Sequence, residues 1–119
     1  VKRPVPVSGL GHLRITLSEN FYIGPGRADL LEGIEATGSI QAAGKRMGMS
    51  YKRAWGLVQA LNDGFGAPLV ETSRGGSGQG GAQLTDAGRA VLSHYRAMAE
   101  KSAAAIADDV AALRSLLPK

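Results

Sequence analysis

Cysteine is absent from this 119-residue chain. Its absence excludes disulfides, thiolate catalysis and cysteine-based metal sites. Histidine occurs only as His12 and His94, far apart and without a carboxylate cluster at ligand spacing, so no metal, cofactor or catalytic site is expected. The pair Asp108-Asp109 reads as the polar face of a helix. Aromatic residues make up 5% of the chain, so Leu, Ile, Val, Met and Ala must build the core. No apolar run is long enough to span a bilayer, and Lys2 and Arg3 are followed by no stretch of signal-peptide length. A cytoplasmic location is expected.

What is present is a mild basic excess. The formal charge is +4 and the isoelectric point about 9.8, which suits an acidic partner such as nucleic acid without requiring one. The length fits one domain with an added helical arm. Residues 1 to 12, with Pro4, Pro6, Gly9 and Gly11, read as a poorly ordered lead-in. Leu13, Ile15 and Leu17 then alternate with Arg14 and Thr16, the period of a half-buried strand. Phe21 to Ile23 would return across a turn at Ser18-Glu19-Asn20.

Gly24-Pro25-Gly26 opens a helix expected over Arg27 to Thr37, with Leu30, Leu31 and Ile34 on one face and Gly38 as its stop. Ser39 suits the N-cap of a short helix to about Met47, and Ser50 the N-cap of a third helix to about Asn62. Gly64, Gly66 and Pro68 are expected to end that third helix. Leu69 to Ser73 and Ala82 to Thr85 read as a hairpin around Arg74 to Gly81, where five of eight residues are glycine. Thr85 or Asp86 would cap a long last helix to about Leu117.

Ser39 to Asn62 has the layout of a helix-turn-helix. Ala43 and Gly44 supply small residues at the crossing, Gly48 tolerates positive φ in the turn, and Ala54 is small where the second helix passes the first. Gly44, Gly48 and Ala54 hold the relative spacing of the fifth, ninth and fifteenth places of that motif. At 100° per residue, Ala54, Leu57, Val58 and Leu61 form the core side of the third helix. Lys52, Gly56, Gln59 and Asp63 form the opposite side, with Arg53 and Trp55 flanking it. Such a stripe can enter a major groove: Lys, Arg and Gln reach base edges or phosphates, and Gly56 permits close approach. Between Ser39 and Asn62 there are four basic residues and no acidic one.

A helical hairpin with an ordinary solvated face remains the alternative, and Trp55 reads equally as a core plug or as a contact to the sugar-phosphate edge. The glycine-tipped hairpin reads as a wing, with Arg74 and bare N–H groups available to phosphates. Gly76 to Gly81 formally matches G-x-G-x-x-G, but no helix starts inside it, as a dinucleotide site needs.

From Val91 the last helix places Tyr95, Met98, Ser102, Ile106, Val110, Leu113 and Leu117 on one stripe. Over roughly 30 residues that helix would be about 45 Å long, more than the body can cover. Pairing with a second copy is expected; packing on the chain's own domain, or on modules of a longer protein, is the alternative.

These residues carry a family resemblance. Leu30-Leu31-Glu32-Gly33-Ile34, Thr37-Gly38-Ser39-Ile40, Gly48-Met49-Ser50-Tyr51-Lys52-Arg53-Ala54-Trp55, the Gly75 to Gly81 tip and Leu84-Thr85-Asp86-Ala87-Gly88 resemble the N-terminal DNA-binding domain of the ModE family. These are molybdate-responsive regulators related to the LysR-type winged helix. The resemblance implies regulation of molybdenum genes, with Ser50 to Arg53 and the wing on DNA. Gly56 departs from an acidic residue frequent in full-length members. The chain ends at Lys119, before their oxyanion-binding modules could fit, so molybdate is not expected to bind it directly.

The reading is a mostly α protein with small β elements: a winged helix-turn-helix with an N-terminal hairpin and a long C-terminal dimerisation helix. Residues 1–84 would form the DNA-binding domain and 85–119 the dimerisation helix. The expected partners are an operator in double-stranded DNA and a second copy of the chain. The DNA-contact candidates are Ser39, Ser50, Tyr51, Lys52, Arg53, Trp55, Gly56, Gln59, Arg74, Gly76, Ser77 and Gln79. The dimerisation candidates are Val91, Tyr95, Met98, Ile106, Val110, Leu113 and Leu117. A protein-interaction module on the same scaffold is the competing function.

Overall fold

A computed structural model describes residues 9–74 and 80–118. A hairpin of β1 (Ile15–Ser18) and β2 (Phe21–Ile23) leads into α1 (Pro25–Thr37), α2 (Ile40–Arg46) and α3 (Tyr51–Phe65). A second hairpin, β3 (Val70–Arg74) and β4 (Gly80–Leu84), precedes α4 (Asp86–Ser115). Both hairpins are antiparallel.

In the first hairpin the register shifts between Thr16 and Ser18. The shift breaks the alternation read from the sequence, and Leu17, expected to share the inner face of Ile15, is exposed. Arg27 donates to the Tyr22 carbonyl at 3.0 Å, and the guanidinium groups of Arg14 and Arg27 both lie against the Tyr22 ring. These contacts fix β2 to the start of α1.

Helix α1 begins at Pro25, two residues before the expected start, because proline in a first turn gives up no helical hydrogen bond. It ends at Gly38 with φ of 72°. Leu30, Leu31 and Ile34 are fully buried. Ser39 caps α2 by accepting from the Ala42 N–H at 3.0 Å, and Ser50 caps α3 by accepting from the Arg53 N–H at 3.1 Å. Gly48 has φ of 71° in the turn between them, a conformation that penalises a Cβ.

Helix α3 runs past Asn62 to Phe65, with Gly66 as its left-handed cap. Gly64 sits inside the helix rather than ending it, and its missing side chain leaves the space that the Phe21 ring occupies. The Phe21 ring also meets Phe65 edge-on, with centroids 5.0 Å apart.

The core is one cluster. It joins Ile23, the inner faces of α1 and α2, Ala54, Val58 and Leu61 of α3, Leu69, Val70, Ala82 and Leu84 of the second hairpin, and Tyr95 of α4. Gly33 lies at the α1–α2 crossing, where an added Cβ would stand 3.0 Å from the Ala43 Cβ. At Gly88 the space for a Cβ is filled by the Leu69 backbone. This close approach seats the first turns of α4 on the root of the second hairpin. Arg96 of α4 reaches Asp29 and Glu32 of α1, each at 2.9 Å. Burial lowers the Arg96 pKa, but the hydrogen bonds and charges of the two carboxylates more than offset it, so it lies above the ordinary arginine value.

The molecule is 58 Å in its longest dimension and 29 Å across, since α4 extends beyond the body. Its stripe is divided. Tyr95 is 2% exposed and its hydroxyl donates to the Leu13 carbonyl at 2.7 Å, while Val91 packs on the core. Both are occupied within their own chain, so the surface that α4 can offer a partner begins beyond Tyr95. Met98, Ile106 and Val110 are half-buried, and Leu113 and Leu117 are exposed together with Leu116, which the sequence reading did not include. The end of the expected loose lead-in also lies on this helix: a Cβ at Gly9 would stand 2.6 Å from Val110 Cγ1.

Candidate nucleic-acid interface

The geometry of α2 and α3 rests on one contact between small residues. A Cβ added to Gly44 would lie 2.8 Å from the Ala54 Cβ and 3.4 Å from Met49 Cγ. With only hydrogen on Gly44, the two helices approach closely enough to bury Ala54, Val58 and Leu61, while Leu57 is partly buried. The opposite side of α3 is then fixed by the helical period. Lys52, Arg53, Gly56, Gln59 and Asp63 are all exposed. Among the described residues, apart from the backbone of its own helix and its chain neighbours, no heavy atom lies within 4 Å of a Cβ added to Gly56, so the middle of the helix presents bare backbone to an approaching surface.

Tyr51 and Trp55, four residues apart on α3, stack with their planes 16° apart and centroids at 6.5 Å. They are 54% and 36% exposed. Trp55 therefore does not plug the core. It lines a groove of about 620 Å³ whose walls are Ser39, Ile40 and Gln41 on one side, Tyr51 and Trp55 on a second, and Thr72, Ser73, Gly81 and Ala82 on the third.

The second hairpin is held beside α3 by specific hydrogen bonds. The Asn62 side-chain oxygen accepts from the Leu69 N–H at 2.7 Å and the Val70 N–H at 3.3 Å, and its amide donates to the Val70 carbonyl. The Ala82 N–H donates to the Gly38 carbonyl at 2.8 Å. The sequence reading used Asn62 only as a helix end and assigned no role to Gln41, Thr72 or Ser73. All four take their roles from neighbours distant in sequence.

The structure thus places Ser39, Tyr51 and Trp55 on the groove beside the second hairpin, while Ser50, Lys52, Arg53, Gly56 and Gln59 are exposed along α3 and at its cap. Arg74 ends β3, where its backbone pairs with Gly80. Gly76, Ser77 and Gln79 lie outside the described residues. Among the described residues, no group of three or more His, Asp or Glu side chains could hold a metal ion, and no helix is long and apolar enough to cross a membrane.

Comparison with known proteins agrees with this geometry. Residues 28–89 match the model of the bacterial regulatory helix-turn-helix protein, lysR family. The chain belongs to that family. Its winged helix-turn-helix is also ModE-like in sequence. It is 36% identical over 109 residues to the DNA-binding transcriptional dual regulator ModE of Escherichia coli K12, covering 88% of this chain and 42% of that protein. It is 46% identical over 76 residues to the molybdenum-pterin-binding protein MopB of Rhodobacter capsulatus, covering 64% of this chain and 28% of that protein. The lysR-family chain thus spans less than half the length of these relatives.

Among solved structures, it superposes on a CbnR DNA-binding domain determined in complex with DNA. The TM-score is 0.57 at 28% identity, covering 73% of this chain and 94% of that one. The lysR-family match ends at residue 89, so it takes in the second hairpin and the start of α4 but leaves out most of the arm.

Proposed function

We propose that the chain is a sequence-specific, DNA-binding transcriptional regulator of the ModE-like kind, acting on double-stranded operator DNA and not as an enzyme. The observation that carries this reading is the exposed stripe of α3. It combines Lys52, Arg53, Gln59 and an uncovered Gly56 on a helix placed directly beside a glycine-tipped hairpin. Long donors around a bare patch fit a major groove, where guanidinium, ammonium and amide groups discriminate base edges. The similarity to a domain solved on DNA and to ModE regulators supports the same reading. It extends to control of molybdenum-related genes, in the cytoplasm. Molybdate is not proposed as a ligand of this chain.

Residues 1–84 would carry the DNA contacts and 85–119 the pairing surface, with the first turns of the arm anchored in the body. Two copies joined through Ile106, Leu113, Leu116 and Leu117 would present two copies of α3 to half-sites about 34–36 Å apart. The test is selection of bound duplexes from random DNA, followed by titration with salt. The reading expects one enriched, two-fold related sequence and an affinity that falls steeply as salt rises. Absence of enrichment, or binding only to protein partners, would refute it.

A further inference from the structure

The groove between α3 and the second hairpin differs in kind from the surface around it. Among the described residues, its lining contains no charged side chain, although Lys45, Arg46, Lys52 and Arg53 lie on the neighbouring helices. Its polar groups are the hydroxyls of Ser39, Tyr51, Thr72 and Ser73 and the amide of Gln41; its apolar wall is the Tyr51–Trp55 stack. The Ser39 oxygen accepts from the Ala42 N–H, which leaves its own hydroxyl hydrogen to donate outward. Among the described residues, the side chains of Gln41, Thr72 and Ser73 have no hydrogen-bond partner, so their donors are available to a ligand.

We infer that this groove seats one sugar-phosphate strand of the duplex by neutral contacts, with Trp55 as the residue that sets its position. The inference rests on the DNA-binding reading above and extends it. If the exposed stripe of α3 enters the major groove and the hairpin reaches the adjacent minor groove, the strand that separates the two grooves must pass between them. The 620 Å³ groove lies between those two elements. Hydroxyl and amide donors suit phosphate oxygens, and the flat faces of Tyr51 and Trp55 suit the edge of a deoxyribose. Surrounding cations supply long-range attraction, whereas the groove supplies fit. Phosphate contacts of this kind fix register without reading sequence.

A neutral contact releases no counterion, so it adds affinity without steepening the salt dependence. This separates the groove from Lys52 and Arg53. The test compares the wild-type chain with Trp55→Ala, Thr72→Val and Lys52→Ala on two labelled duplexes of equal length, one selected for binding and one scrambled, across a salt series. Thr72→Val should weaken binding to both duplexes by the same factor, about two- to tenfold for one neutral hydrogen bond. Trp55→Ala should also weaken both equally, by at least that factor. Neither should change the slope of log affinity against log salt. Lys52→Ala should flatten that slope if Lys52 neutralises a phosphate.

The chain has a single tryptophan, so its emission in the wild-type protein should respond to both duplexes alike. Losses confined to the selected duplex would mean that the aromatic pair reads bases, and would overturn the inference. So would unchanged affinity in both groove variants, or an altered salt slope. If Trp55→Ala fails to fold, Thr72→Val, at an exposed strand position, carries the same test. A wild-type chain that binds neither duplex overturns the DNA-binding reading itself, and this inference with it.

Discussion

Replacing Gly44 by Ala tests whether the spacing of α2 and α3 depends on one missing methyl group. The new Cβ would stand 2.8 Å from the Ala54 Cβ, against an optimal carbon–carbon separation of about 3.5–4.0 Å. The helices must therefore separate by most of an ångström or absorb the clash. Overpacking of this size costs about 1–3 kcal/mol. Alanine in place of glycine inside a helix returns roughly 0.5–1 kcal/mol. The net expectation is a destabilisation of about 1–2 kcal/mol, or roughly 4–15 °C in melting temperature for a domain near this size. Ala54→Gly alone should cost about 1 kcal/mol through helix propensity. The double variant exchanges the methyl group between the two helices and removes the clash. It should be more stable than the sum of the single changes predicts, by about 1–2 kcal/mol, well outside the usual additivity error of about 0.3–0.5 kcal/mol. Urea and thermal unfolding of the four proteins measure all these quantities. A Gly44→Ala protein as stable as wild type, or strict additivity in the cycle, would refute the reasoning.

Lys52→Ala, in the first turn of α3, should weaken operator binding by about 1–3 kcal/mol with the fold intact; unchanged affinity in a titration removes it from the interface. Tyr95→Phe leaves the Leu13 carbonyl without the hydroxyl it accepts from and should cost about 1 kcal/mol of unfolding free energy, since Leu13 is only half-buried and water can partly substitute; equal denaturation midpoints would show the bond to be worth nothing net. Ile106→Glu with Leu113→Glu should convert a dimer to monomers in sedimentation and abolish preference for a paired site; a wild-type chain that is monomeric at concentrations on the order of tens of micromolar, a weak dimer's Kd, refutes pairing through α4.

Local signals made most of the body legible. Both helix-capping serines act as N-caps, as their position before apolar-periodic segments implied, and Gly38 and Gly48 have the positive φ that a helix stop and a tight turn require. The departures come from contacts that a residue's own element does not reveal. Gly64 looked like a terminator because glycine is a poor helix residue. In the structure its value is the space it leaves for Phe21, which lies far away in sequence. Leu17 was read inward by alternation, and a register shift in the first hairpin turned it out. The stripe on α4 is real as a periodicity, but period alone cannot say whose apolar surface covers it. Leu13 and the core take its first part, and Gly9 lies against Val110 farther along.

The same distinction explains why the α3 stripe was readable and the groove beside it was not. The stripe belongs to one helix, so the angle between residues follows from the chain itself. Lys52, Gly56 and Gln59 must point away from Ala54, Val58 and Leu61 whatever the rest of the protein does. The groove draws on residues 39–41, 51–55 and 72–73, and no periodicity relates those segments. Their juxtaposition depends on Asn62 hydrogen-bonding the start of β3 and on the Gly38 carbonyl receiving the Ala82 N–H. Neither bond has a sequence signature. Trp55 could therefore not be assigned from the sequence: its angle on α3 puts it at the boundary between core and solvent, and only the position of the second hairpin decides which it faces. With the hairpin fixed there, Trp55 becomes a wall between two elements. A wall residue of that kind acts on where a bound strand lies, while the neighbouring stripe acts on which bases are read. Affinity for any duplex and preference for one duplex should consequently respond to different mutations on the same helix.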